Sequence, residues 1–222
     1  MKKVLGIGIV IILAIIAFFA LRNDPVVIID DPENEPASYS VVVRNLSGSQ
    51  PLSPGVFVVH DDSGVLDFEG RLSPVGFEPL AEIGVAGDLA GWLATQSGVR
   101  SVYLIDSPIL PGQERTFIVE NTGRYLSGTM MAVASNDGYA LINSIDLEEG
   151  IFQARNYDNG TEENSALGSG AAGGQPVPGQ PESIDMGTAT NPQATVRVHD
   201  QLTEVILEIE ITAVASPDEE LN

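Results

Sequence analysis

The chain contains no cysteine, so neither a disulfide nor a thiolate metal site can form in it. Lysine is almost as scarce. Both copies stand at positions 2 and 3, and beyond Arg22 the basic side chains are seven arginines and two histidines. All 31 acidic residues also lie beyond Arg22, which leaves that part with 24 net negative charges. A charge of that sign and size excludes nucleic acid and anionic membrane surfaces as simple electrostatic partners. It suits cations, or a salty medium that screens self-repulsion, and a plainly solubilising acidic surface accounts for it equally well. Aromatic residues make up only 6% of the chain, with one tryptophan, so a sugar-stacking cleft has little to be built from. No G-x-S-x-G, phosphate loop or dinucleotide fingerprint occurs. A carboxylate pair for glycoside hydrolysis among Asp137, Asp158, Glu162 and Glu163 is the enzymatic option left.

One long hydrophobic run is present. Residues 4–21 hold only Val, Leu, Ile, Ala, Phe and two glycines. As a helix this run is about 27 Å long, close to the roughly 30 Å hydrocarbon core of a bilayer. Lys2 and Lys3 keep its N-terminal end in the cytoplasm. Residues 1–22 are therefore expected to be a signal anchor, or a signal peptide if the poor small-x-small site near Ala20 is used. The expected location is extracytoplasmic: anchored in the inner membrane facing the periplasm, or secreted after cleavage. Residues 23–37 hold three prolines and five acids and form a linker. Residues 38–216 remain as one domain, long enough for a sizeable core.

Within that domain the pattern is that of β-structure. Apolar, β-branched segments run at 39–46, 56–60, 99–105, 115–120, 126–134, 141–147, 151–157, 194–199 and 204–214, and those from 56 to 134 are closed by turns containing Gly, Pro, Asp or Asn. The last alternates, with Val205, Leu207, Ile209 and Ile211 on one face and Glu204, Ile206, Glu208 and Glu210 on the other. Residues 77–95 are the only helical stretch, and Gly84 and Gly87 divide it in two. Residues 165–190, rich in Gly, Pro and Ser, form a long loop. Many short strands with one helical insertion predict an all-β fold, an antiparallel β-sandwich. Trp92 is assigned to core packing, and His60 and His199 to turn hydrogen bonds.

Two acidic turns interrupt the second half, Ser135-Asn136-Asp137-Gly138 and Tyr157-Asp158-Asn159-Gly160-Thr161-Glu162-Glu163-Asn164. If antiparallel pairing brings them to one end of the sandwich, Asp137, Asp158 and Glu162 supply three carboxylates. Turn carbonyls and water would complete the six-to-eight-oxygen shell that Ca²⁺ prefers. Asp-Asn-Gly is also ordinary turn chemistry, so spacing alone leaves both readings open.

A resemblance adds to this. YSVVVRNLSGSQPLSPGVFVVHD (39–61), FEPLAEIGVAGDLAGWL (77–93), LPGQERTF (110–117), ASNDGYALINSIDL (134–147) and YDNGTEEN (157–164) carry it, with VRVHD (196–200) more weakly. Together they resemble the spondin N-terminal (F-spondin) domain in its bacterial secreted or membrane-anchored form. The resemblance implies a C2-like antiparallel β-sandwich and a single calcium ion held by Asp137, Asp158 and Glu162. It also implies a non-catalytic module for adhesion, with an extracellular or periplasmic protein or glycan as partner. Here Tyr139 lies near the place of a tryptophan in animal members, and Glu162 stands where they have aspartate. The alternatives are a metal-free structural envelope protein and a carboxylate-dependent hydrolase.

Overall fold

The short, turn-punctuated segments pair into two antiparallel sheets. In chain order the elements are β1 (Ser38–Asn45), β2 (Leu52–His60), α1 (Phe77–Ile83), α2 (Gly87–Leu93), β3 (Val99–Ile105), β4 (Glu114–Glu120), β5 (Tyr125–Ala132), β6 (Gly138–Asp146), β7 (Gly150–Gln153), β8 (Arg155–Asp158), β9 (Arg197–Val198) and β10 (Leu207–Ala213). The computed structural model describes residues 38–74, 76–135, 137–161 and 195–214. The anchor or signal segment 1–22, the linker 23–37, the loop 165–190 and Glu162 lie outside the described residues. Among the described residues no helix is long and apolar enough to cross a membrane.

One sheet has the order β4-β1-β10-β7, the other β3-β2-β5-β6-β8-β9. In the four-stranded sheet the alternation of the sequence holds. Tyr39, Val41 and Val43 of β1 and Leu207, Ile209 and Ile211 of β10 are buried, whereas Arg44, Glu208 and Glu210 face water. Arg44 sits opposite both Glu208 and Glu114 in the ladders. Its guanidinium bridges Glu114 at 3.1 Å and Glu210 at 2.5 Å, cross-strand pairs on the wet face.

The six-stranded sheet is covered on both faces, which explains why the apolar run at 56–59 does not alternate. Phe57 and Val59 join Val41, Val43, Met130, Ile142, Ile209 and Ile211 in the core shared by the two sheets. Val56 and Val58 point the other way, into a second core with Phe77, Leu80, Leu89, Leu93, Tyr139 and Tyr157. Burying each such side chain contributes roughly 1.5–3 kcal/mol before entropy is counted. Helices α1 and α2 thus form a lid of apolar side chains on the outer face of this sheet. Gly84, at φ 69°, ends α1, and its N–H caps the Leu80 carbonyl. The Val85 N–H bonds Pro79 in the same closure. Trp92 is half-buried against this second core, edge-on to Phe68 at 6.1 Å.

Three segments differ from the sequence expectation. Residues 151–157 are not one strand: β7 pairs with β10 in one sheet and β8 with β6 in the other, with buried Ala154 at the crossover. The final strand starts at Leu207, so Val205 and Ile206 do not continue its alternation. Ile206 is fully buried while its carbonyl accepts the Leu46 N–H, and Val205 faces solvent. Of the expected strand at 194–199, the described residues 195–199 contain only the two-residue β9, with an isolated parallel bridge from Val196 to Glu69.

Candidate metal centre

The two acidic turns meet because β6 and β8 pair in a register that sets Gly138 opposite Asp158. The first turn ends where β6 begins, and β8 ends where the second turn begins. The Asn159 N–H extends this pairing beyond the sheet by donating to the Asp137 backbone carbonyl at 3.1 Å. The next strand, β9, sets Arg197 opposite Asp158, so Gly138, Asp158 and Arg197 form one row across three strands.

Both turns are fixed by their own side chains. The Ser135 hydroxyl donates to the Ala132 carbonyl at 2.6 Å and accepts the Gly138 N–H at 3.0 Å. In the second turn the Gly160 N–H donates to Asp158 Oδ1 at 2.6 Å, an Asx turn that places Gly160 at φ 74°. Gly138 must lack a side chain. A Cβ there would lie 2.6 Å from Ser135 Oγ and 2.9 Å from the His199 ring.

Asp137 and Asp158 are completely buried. Asp158 Oδ2 accepts from Arg197 Nη2 at 2.9 Å and Nε at 3.1 Å. This bond holds the Arg197 guanidinium above its ordinary pKa. Asp137 Oδ2 lies 3.3 Å from the Thr161 hydroxyl. The same hydroxyl is 2.7 Å from Glu82 Oε1 of α1 and 3.2 Å from Asn159 Nδ2. Burial raises the Glu82 carboxyl, the Thr161 bond opposes that, and Glu78 adds to the rise. Asn159 Oδ1 is buried with no hydrogen-bond partner among the described residues. Tyr139, next to Gly138, is fully buried between Phe77, at 4.7 Å, and Tyr157, at 5.8 Å. Burial first, and then Tyr157 and the two aspartates, push its phenol well above the usual range.

The histidines do not join the cluster as ligands. His199 Nδ1 accepts two backbone N–H groups, from Gln201 at 3.2 Å and Leu202 at 3.1 Å. The proton of the neutral ring is therefore on Nε2, which leaves neither nitrogen a free lone pair. Burial lowers the His199 pKa against the pull of Asp158 and Asp200. His60 is fixed in its own turn by the Asp62 carbonyl at 2.7 Å and Ser127 Oγ at 2.9 Å.

Of the three ligands expected from sequence, Asp137 and Asp158 stand on adjoining turns, each carboxylate with partners of its own, and Glu162 lies outside the described residues. Among the described residues, no three histidine or carboxylate side chains form a group that could hold a metal ion. The oxygens that meet at the Thr161 hydroxyl are those of Asp137 and, from α1, Glu82, while Asp158 is turned to Gly160 and Arg197. That chemistry fits a hard cation such as Ca²⁺ and does not fit a thiophilic one. Sequence reasoning missed Glu82 and Arg197. Arg197 lies two residues before His199 in a recognisable segment, whereas no local pattern marks Glu82. No family model matches the chain, and no curated protein matches it in sequence.

Proposed function

We propose that this protein is a non-catalytic, calcium-binding β-sandwich module of the spondin N-terminal type, with a C2-like arrangement. Residues 1–22 export it and hold it at the cell envelope, where it binds a periplasmic or extracellular protein or glycan. The observation that carries the calcium reading is the pairing of Gly138 with Asp158, which sets two fully buried aspartates on neighbouring turns. Burying a carboxylate away from water is costly, so a cation bound at these turns would lower their energy further than their present partners do. Asp137 and Asp158, with Glu162, would hold it. When bound, calcium supplies positive charge that neutralises the turns and orders the loops beside them for partner contact. Calorimetric titration of the full-length chain tests this. Saturable binding at millimolar Ca²⁺ that is lost in Asp158→Ala is expected, and no binding by the wild type would sink the reading.

A metal-free envelope protein is the second reading, and Arg197 favours it. Both Asp158 oxygens already accept hydrogen bonds, one from Gly160 and one from Arg197. The hydrolase reading has less support. A shallow cleft of about 340 Å³ between β8 and the stretch before β10 has one carboxylate in its lining, Glu204. Paired-carboxylate chemistry uses two.

A further inference from the structure

We propose that His60 is the pin of a proton-operated latch at the end of the sandwich away from the acidic turns. Neutral, it fastens the bulge of β6 and the loop that leads into the helical lid; protonated, it releases both. The latch is independent of the calcium reading. β2 ends at His60, opposite Tyr125, where β5 begins, and the first acidic turn follows the other end of β5, at Ala132.

Two features lead to it. The first is a strained residue. From Leu126 to Gly128 β5 takes two steps while β6 takes three, from Ile145 to Ile142, so β6 carries an extra residue there. Within that bulge Ser144 has φ 50°, the only positive value outside glycine among the described residues. A serine stays in that region only where its surroundings hold it. The second feature is what holds it. The Ser144 N–H donates to Ser127 Oγ at 2.7 Å, and fully buried Ser127 lies 2.9 Å from His60 Nε2. Ser144 Oγ in turn accepts the Gly64 N–H at 2.8 Å, which ties down the loop between β2 and α1. That loop buries Leu66 and sets Phe68 against Phe77 and Trp92, so it belongs to the lid. One hydroxyl thus connects a titratable ring to the strained bulge and, through it, to the lid loop.

With Nδ1–H bound to the Asp62 carbonyl, the neutral ring has its lone pair on Nε2 and takes the Ser127 proton. Once Nε2 is protonated, Ser127 Oγ faces two donors, the ring and the Ser144 N–H, and its own proton loses its acceptor. An unmet donor in a fully buried site is destabilising, and the strained bulge is the part that gives. The surrounding charges do not fully compensate. Asp61 and Asp62 flank the ring from its own turn, but Asp61 is paired with Arg100 of β3. From β5, Tyr125 packs on the ring at 5.7 Å, and Arg124 lies over Tyr125 at 4.8 Å while pairing with Asp146 of β6. Burial lowers the His60 pKa, and the Asp62 carbonyl with the two aspartates offsets this only in part. The latch therefore holds at neutral pH and opens as pH falls below about 6.5.

The experiment is amide hydrogen exchange in the calcium-free full-length chain between pH 7.5 and 4.5, corrected for the intrinsic pH dependence of exchange. Val58, in the middle of β2, is the reference. Protection at Gly64 and Ser144 should fall together by about tenfold or more on acidification, while that of Val58 holds. In His60→Gln, which cannot gain a proton in this range, the step should disappear. Protection at Gly64 and Ser144 that does not change relative to Val58 in the wild type would overturn the latch. So would a wild-type step retained in His60→Gln. Ser144→Gly guards against a folding defect in that variant, since glycine adopts φ 50° freely but lacks the hydroxyl. There Gly64 should exchange fast at every pH, while the N–H of position 144 still loses protection in acid. An N–H at position 144 that stays protected throughout would count against the latch.

Discussion

His60 is a fully buried side chain that can take up a proton near neutral pH, and its two ring bonds define what protonation would break. Nδ1 donates to the Asp62 carbonyl, while Nε2 accepts from a Ser127 hydroxyl that also accepts the Ser144 N–H. Adding a proton turns an acceptor into a donor against that hydroxyl. Burial lowers the folded pKa below its ordinary value of 6.5, and the Asp62 carbonyl with Asp61 and Asp62 opposes this only in part. The unfolded chain therefore binds more protons in the window below about 6.5. The stability contribution is complete above that pH and is lost as pH falls through the folded value. His199 carries the same sign, and Glu82, raised by burial, carries the opposite sign at lower pH, above about 4.5. Urea denaturation should show stability falling between pH 7 and 5, with a shallower fall in His60→Gln. Equal slopes would refute the burial account. At this scale the aspartates were legible, because Asp before Gly at a strand end is turn chemistry wherever it occurs. Glu82 was not, because a glutamate on an amphipathic helix looks the same whether it faces water or a distant turn.

The elements themselves were legible where a local rule sets them. Val99–Ile105 falls at its expected bounds, and the two halves of the helical stretch divide at glycine. Gly84 shows why. At φ 69° it is in the left-handed region, and a Cβ would stand 2.7 Å from the Ser53 Cβ of β2. Gly84→Ala therefore incurs both backbone strain and a clash, and should lower unfolding free energy by about 1–3 kcal/mol. The urea midpoint would register this, and a change within about 0.5 kcal/mol would show that α1 ends for another reason. What local rules could not show was sheet membership. Residues 151–157 read as one uninterrupted β-segment, because nothing within Ile-Phe-Gln-Ala-Arg-Asn-Tyr tells which neighbour each half will pair with. The division at Ala154 follows from partners more than 50 positions away on β10 and from β6. The apolar run at 56–59 likewise marked a strand without showing that α1 and α2 would cover its second face.

For the whole molecule, charge and fold meet at one question: whether the acidic excess binds calcium specifically or is simply screened. The part beyond Arg22 carries 24 net negative charges. Any salt shortens the Debye length, from about 10 Å at 0.1 M to about 3 Å at 1 M, and so relieves self-repulsion. Sodium chloride alone should therefore raise the melting temperature. A specific site adds a different term, stabilisation by RT ln(1 + [L]/Kd), which is about 2.7 kcal/mol at a hundredfold excess over Kd and does not depend on ionic strength in the same way. Melting curves at fixed ionic strength separate the two. Replacing part of the sodium chloride with millimolar calcium chloride should raise the melting temperature further, EDTA should reverse the gain, and magnesium should reproduce little of it. In Asp137→Asn the sodium chloride response should persist while the calcium increment disappears, because the variant removes one of 31 acidic charges but half of the buried aspartate pair. Equal responses to calcium and sodium at matched ionic strength, in both proteins, would mean that the acidic turns hold no specific calcium site.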